Sequence, residues 1–70
     1  MYDFKELKLQ ILRVFDNQAN FAEAMDMSTA ALSQRLNNNV DWSTKEMFTA
    51  CKLLNIPLEK AHEYFFVPKV

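Results

Sequence analysis

The sequence predicts an all-α fold, a compact arrangement of five helices in one domain, and three observations support this prediction. Apolar residues recur every three or four positions along most of the chain, as they do on the buried face of a helix. Asn17, Ser28 and Ser43 each precede such a stretch, where a helix N-cap is expected. Half of the 70 residues are hydrophobic and 13% are aromatic, which supplies a core for a chain of this length.

The first predicted helix runs from Asp3 to Phe15. Asp3 and Glu6 have the spacing of a capping pair at its start. Its polar side carries three cations that face either solvent or phosphate, and solvation is the usual role of such residues on an amphipathic helix. The apolar side holds Phe4, Leu7, Ile11, Leu12, Val14 and Phe15, and the cations are Lys5, Lys8 and Arg13.

Residues 18–38 predict a short helix, a tight turn and a second helix, and the rest of the chain is organised around this pair. Asp26 suits the turn because aspartate tolerates left-handed backbone geometry better than most residues other than glycine. The second helix is predicted from 29 to 38, with Ser28 as its N-cap and Leu32 and Leu36 facing the core. Its outward side then carries small and polar residues, namely Thr29, Ala30, Ser33, Gln34 and Asn37.

A fourth helix is predicted after an irregular connection. Three consecutive asparagines, 37–39, suit a helix end and turn in a chain that contains no glycine. Ser43 and Glu46 have the capping-box spacing that starts a helix, and Asn55 is expected to end it. The residues expected on its inward side are Met47, Phe48, Cys51 and Leu54.

The last predicted helix starts at Pro57 and leads into an apolar tail. Residues 64–67 are four large apolar residues in a row, and Pro68 stops the helix after them. This tail either closes the core over the first helix or forms a patch for a second subunit, which leaves a homodimer open. We favour core closure because so small a domain needs the buried area.

The composition excludes several functional classes. No apolar run approaches the roughly 18 residues of a membrane span, and the single cysteine, Cys51, cannot form an internal disulfide. There is no glycine for a phosphate loop, no nucleophile paired with a base and no His/Cys cluster. We therefore expect a cytoplasmic protein without enzymatic activity, cofactor, metal or small-molecule substrate.

The paired helices resemble the helix-turn-helix of the lambda repressor and Cro class of phage regulators. Gln18 opens the motif, Ala22 is the small residue where the helices cross, Asp26 replaces the usual turn glycine and Leu32 anchors the second helix. The stretch NFAEAMDMSTAALSQRLNN, a Trp soon after it and an aromatic tail are similar to small Cro-like regulators and antirepressors of temperate phages of Gram-positive bacteria. This resemblance implies a lambda-repressor-like fold and a role in a lysis–lysogeny switch inside the bacterial host.

The first functional hypothesis is that the helix 29–38 binds a double-stranded DNA operator. Gln34 would then bond an adenine and Ala30 would meet a thymine methyl in the major groove. Gln18 and Ser28 would hold phosphates through a side chain and a helix N-terminus. The candidate binding residues are Gln18, Ser28, Thr29, Ala30, Ser33, Gln34, Arg35, Asn37 and Asn38.

The alternative is an antirepressor that docks the same helix on the DNA-reading surface of a partner phage repressor. The formal net charge is −1 and the pI is about 5.7, whereas proteins held mainly to phosphates are strongly basic. Arg35 is the one cation beside the outward helix face, and the small side chains there permit close helix packing. Helix-turn-helix motifs bind DNA more often than they bind proteins, which favours the DNA hypothesis by a narrow margin. A third hypothesis is that the motif serves only as a structural scaffold.

Overall fold

The chain folds into five α-helices and one 3₁₀ turn in a computed structural model that describes all 70 residues. The order is α1 (Lys5–Phe15), α2 (Gln18–Ala24), α3 (Thr29–Leu36), α4 (Thr44–Leu53), the 3₁₀ turn (Leu58–Lys60) and α5 (His62–Phe65). The only strand-like pairing is an isolated antiparallel bridge between Tyr2 and Pro68. This architecture confirms the all-α, five-helix prediction. None of the helices has the length and hydropathy needed to cross a membrane.

Polar side chains cap the starts of α2, α3 and α4, as the sequence predicts. Asn17 Oδ1 accepts the backbone N–H of Asn20 at 2.8 Å, and Ser28 Oγ accepts that of Ala31 at 3.0 Å. The capping box of α4 is complete, because Ser43 Oγ accepts the Glu46 N–H and Glu46 Oε1 accepts the Ser43 N–H. These caps satisfy amide donors that have no partner inside their own helix.

The start of α1 differs from the prediction, because Asp3 and Glu6 do not form a capping pair. The N-cap is Phe4, which offers no side-chain acceptor. Asp3 lies one residue further out and accepts the backbone N–H of Lys5 at 2.9 Å. Phe4 is only 4% exposed, and this burial in the core holds it at the N-cap position.

The ends of the first four helices lie at residues with positive φ, and all four are Asp or Asn in this glycine-free chain. They are Asp16 (70°), Asp26 (59°), Asn38 (63°) and Asn55 (59°). At the end of α3, the N–H of Asn39 donates to Gln34 O at 2.8 Å and that of Asn38 to Arg35 O at 3.3 Å. This is a Schellman motif, and the same pair of bonds ends α2, while α4 shows its longer bond, from Ile56 N–H to Cys51 O at 2.9 Å. The predicted helix 29–38 therefore stops at Leu36, because Asn38 turns the chain.

The core consists of 13 buried residues contributed by every helix and by the segments between them. They are Phe4, Leu7, Ile11, Phe21, Ala22, Met25, Leu32, Leu36, Ala50, Cys51, Leu54, Ile56 and Phe65. Three residues that were expected to face inward do not: Leu12, Val14 and Phe48 are 48%, 38% and 57% exposed. On α4 the inward row passes through Ala50, Cys51 and Leu54, which leaves Phe48 on the neighbouring face.

The two chain ends meet and close the core. The N–H of Asp3 donates to Val67 O at 2.7 Å, and that of Lys69 to Met1 O at 3.1 Å. Phe65 is 1% exposed, whereas its neighbour Phe66 is 46% exposed. The tail thus closes the core through Phe65, although the predicted helix beginning at Pro57 is replaced by the 3₁₀ turn followed by the short α5.

Candidate interaction surface on α3

The outward side of α3 is small, polar and uncharged. Leu32 and Leu36 anchor the helix in the core. The opposite side exposes Thr29, Ala30, Ser33 and Gln34, which we call the presented face. The Ser33 hydroxyl accepts a hydrogen bond from Asn37, whereas the side chains of Thr29 and Gln34 make no hydrogen bond within the protein. The hydrogen-bonding groups of these two side chains are therefore unoccupied within the protein, and Ala30 adds only a methyl group to the face.

The two residues expected to hold phosphate, Gln18 and Ser28, lie at the starts of two different helices. Ser28 is exposed at the start of α3, where its hydroxyl already accepts the Ala31 N–H. Gln18 is the first residue of α2 and is half-buried. A shallow depression beside Ser28 is lined by Glu23 and Asp26, whose charges oppose an anion at this helix N-terminus.

Arg35 faces α4 and is held within the protein. Its Nε donates to Glu46 Oε1 and its Nη2 to Glu46 Oε2, both at 3.0 Å, and its Nη1 donates to Ala31 O at 2.9 Å. The Arg35 side chain is only 17% exposed. These hydrogen bonds, together with the charge of Arg35, lower the pKa of Glu46. The sequence led us to expect a cation beside the presented face, whereas the structure uses that cation to join α3 to α4.

Asn37 and Asn38 also bond within the protein. Asn37 Nδ2 donates to Ser33 O at 2.9 Å and to Ser33 Oγ at 3.2 Å. Asn38 pairs with the backbone of Tyr2: its Oδ1 accepts the Tyr2 N–H at 3.0 Å, and its Nδ2 donates to Tyr2 O at 2.9 Å. Asn38 therefore ties the end of α3 to the N-terminal segment.

The segment that contains α2 and α3 carries mostly negative charge. Residues 16–44 contain four carboxylates, Asp16, Glu23, Asp26 and Asp41, and a single cation, Arg35. The ion pair of the chain is Arg35–Glu46, so none of these four exposed carboxylates has a cationic partner. The other seven Lys and Arg residues lie outside this range. A count of charges by segment, rather than over the whole chain, would have revealed this from the sequence.

No catalytic or metal-binding constellation accompanies this surface. The structure contains no group of three or more His, Cys, Asp or Glu side chains that could hold a metal ion. Cys51 is buried in the core, as expected, and burial raises the pKa of its thiol. Cys51 is thus part of the core and not of the surface around α3.

The fold of this chain is similar to that of a phage protein. The solution structure of the modulator of repression (MOR) of the temperate bacteriophage TP901-1 from Lactococcus lactis matches with a TM-score of 0.83 and 34% sequence identity. The match covers 93% of this chain and 88% of that chain. None of the curated protein sequences is significantly similar. The family model "Protein of unknown function (DUF739)" matches residues 1–68, and the chain therefore belongs to the DUF739 family.

Proposed function

We propose that this protein is an antirepressor of a phage lysis–lysogeny switch that acts in the cytoplasm of the bacterial host. It binds a partner repressor, encoded beside it, through the presented face of α3 and blocks that repressor's DNA-reading surface. The observation that carries the proposal is the charge of residues 16–44, where four carboxylates make no ion pair and the single cation, Arg35, is paired with Glu46. The similarity to a protein described as a modulator of repression supports the same function.

The charge distribution disfavours DNA as the ligand of this face. Duplex DNA carries one negative charge per roughly 1.7 Å of its axis, and proteins bind it by neutralising phosphates with Lys and Arg. Arg35, the one cation within α3, is bonded to Glu46 and is not available to phosphate. A DNA-reading surface on another protein is basic, so the carboxylates that repel a duplex attract such a protein.

The presented face has the chemistry of a helix-packing surface. Small residues such as Ala30 and Ser33 allow a second helix to approach closely, while Thr29 and Gln34 supply unoccupied hydrogen-bonding groups. Leu32 and Leu36 hold the helix rigidly from below. Such a preformed surface loses little conformational freedom on binding, which favours affinity.

The direct test uses the neighbouring repressor and fluorescently labelled DNA from its promoter region. We expect the protein to release the repressor from this DNA, measured as a fall in fluorescence anisotropy. The protein alone should give flat titrations with the same DNA at about 50 and 200 mM salt, because it has no phosphate-binding cations on this face. Sequence-selective binding by the protein alone, falling steeply with salt, would contradict the proposal and support the DNA hypothesis.

A pair of variants locates the binding surface. Ala30→Arg places a long cation in the middle of the presented face, so we expect the affinity for the repressor to fall at least about tenfold, or 1.4 kcal/mol. Thr49→Arg makes the same charge change on the exposed side of α4 and should bind like the wild type. Circular dichroism establishes that both variants are folded. Equal affinities for the two folded variants would show that the presented face does not contact the repressor.

A further inference from the structure

A cleft of about 260 Å³ opens just beyond the end of α3, between the connection to α4 and the two chain ends. Seven of its nine lining residues are hydrophobic, among them Tyr2, Val40, Trp42 and Phe66. Three of these keep much of their surface exposed, with values of 40% for Tyr2, 37% for Val40 and 46% for Phe66. We call this feature the Trp42 cleft.

The indole of Trp42 has an unused hydrogen-bond donor. Its Nε1 is shielded from solvent and has no acceptor within the protein. The ring is held edge-on against Phe65, with 5.2 Å between the ring centroids. Trp42 therefore contributes apolar surface to the cleft wall, while its N–H is left without a partner inside the protein.

The cleft has one charged residue, and that residue is acidic. Asp41 lines it, is exposed and forms no ion pair. Its neighbours in the cleft are apolar except for Asn38, whose side chain is already bonded to Tyr2. A ligand that fits the cleft therefore carries an apolar group next to a positive charge.

We propose that the Trp42 cleft is a second contact with the partner repressor and takes one large apolar side chain next to a Lys or Arg. The apolar side chain fills the cleft and packs against Trp42, and the basic residue pairs with Asp41. This inference rests on the function proposed above and extends it to a particular anchor. The volume is slightly below the roughly 300–1,000 Å³ of pockets that enclose drug-sized ligands, which favours a side chain over a small molecule.

Two features make the cleft suitable as an anchor. Its walls are tied together by the paired hydrogen bonds between Asn38 and Tyr2 and by the bond from Asp3 N–H to Val67 O at 2.7 Å. It also begins at Asn38, two residues after α3 ends, so one partner can cover both the presented face and the cleft. Binding energy at interfaces is concentrated where an anchor side chain enters such a preformed pocket.

Trp42 is the only tryptophan, which gives a selective probe. The protein is labelled with 5-fluorotryptophan and titrated with the unlabelled neighbouring repressor while its ¹⁹F resonance is followed. We expect the single resonance to shift in proportion to complex formation. A resonance that stays unchanged in a formed complex overturns the second contact but leaves the antirepressor function intact. A shift that depends on protein concentration without repressor identifies a second copy of this chain as the occupant and also overturns the inference.

Variants at the cleft provide the affinity test. Val40→Phe fills the cleft and Asp41→Lys reverses its charge, and we expect each to weaken repressor binding at least about tenfold. Glu59→Lys makes the same charge change on an exposed residue outside the cleft and is the matched control for Asp41→Lys. Thermal denaturation verifies that each variant is folded. Wild-type affinity in folded Val40→Phe and Asp41→Lys overturns the inference, and absence of repressor binding by the wild type overturns both proposals.

Discussion

The presented face and the end of α3 differ in what their polar side chains do. Thr29 and Gln34 on the presented face make no hydrogen bond within the protein and point to solvent. Arg35 and Asn38, at the end of the helix, bond Glu46 and the Tyr2 backbone. All four side chains are polar, yet the first pair is unoccupied within the protein and the second pair stabilises the fold.

This contrast explains how a small domain without glycine, disulfides or metals presents a helix rigidly. The end of α3 is fixed on two sides, by Arg35 to α4 and by Asn38 to the N-terminal segment. The presented face is then held in place by side chains that are bonded within the protein. Substitutions at the end of α3 should therefore affect stability, and substitutions on the presented face should affect binding.

The largest effect on stability is expected at Asn38. Asn38→Ala removes both hydrogen bonds to Tyr2 and places a β-carbon at a φ of 63° without the local bonding that favours Asn there. We expect the free energy of unfolding to fall by about 2 kcal/mol, measured by urea denaturation. Asn38→Gly removes only the hydrogen bonds and should recover part of this loss. Asn39→Ala is the control, and a loss as large as that of Asn38→Ala would refute the role of the Asn38 pairing.

A smaller effect is expected from acid. The pKa of Glu46 lies below its ordinary value of 4.5, mainly because Arg35 donates hydrogen bonds to the carboxylate. The resulting stabilisation is fully present above the pKa of the unfolded chain and is lost as the pH falls through the lowered pKa of the folded state. Glu46→Gln lacks this titration, so its melting temperature should fall less than that of the wild type between about pH 7 and pH 3. Parallel pH profiles for the two proteins would contradict this assignment.

The smallest effect on stability is expected on the presented face. Gln34→Ala removes a side chain that has no partner in the protein, so the free energy of unfolding should change by less than about 0.5 kcal/mol. Repressor binding should nevertheless weaken severalfold, measured by competition against labelled operator DNA. If the Gln34→Ala variant loses stability but keeps full affinity for the repressor, Gln34 stabilises the fold and does not contribute to binding.

Much of the local structure follows from the sequence because local chemistry decides it. The caps at Asn17, Ser28 and Ser43 were predictable, since a side-chain oxygen at this position bonds an amide two or three residues ahead. Positive φ at Asp26 and Asn55 also follows, because the chain contains no glycine for helix ends. The exact length of α3 was less predictable, because any of three consecutive asparagines could have adopted the left-handed conformation.

The candidate site was only partly predictable. Periodicity identifies which side of α3 faces outward, so the exposure of Ala30 and Gln34 follows from the positions of Leu32 and Leu36. It does not reveal that Arg35 meets Glu46, which lies 11 residues away on the next helix. The Trp42 cleft is further from prediction, because its walls come from the chain ends and from the connection between α3 and α4.

The sequence by itself determined the presence of α1 to α4, the caps of α2, α3 and α4, the outward side of α3 and the excess of carboxylates in residues 16–44. Each of these depends on residues that are close together in the chain. Only the tertiary structure decided that Arg35 is neutralised, that Asn38 binds the Tyr2 backbone and that Trp42 lines an open cleft with an unpaired N–H. Those outcomes depend on contacts between distant segments, and packing of the core brings these segments together.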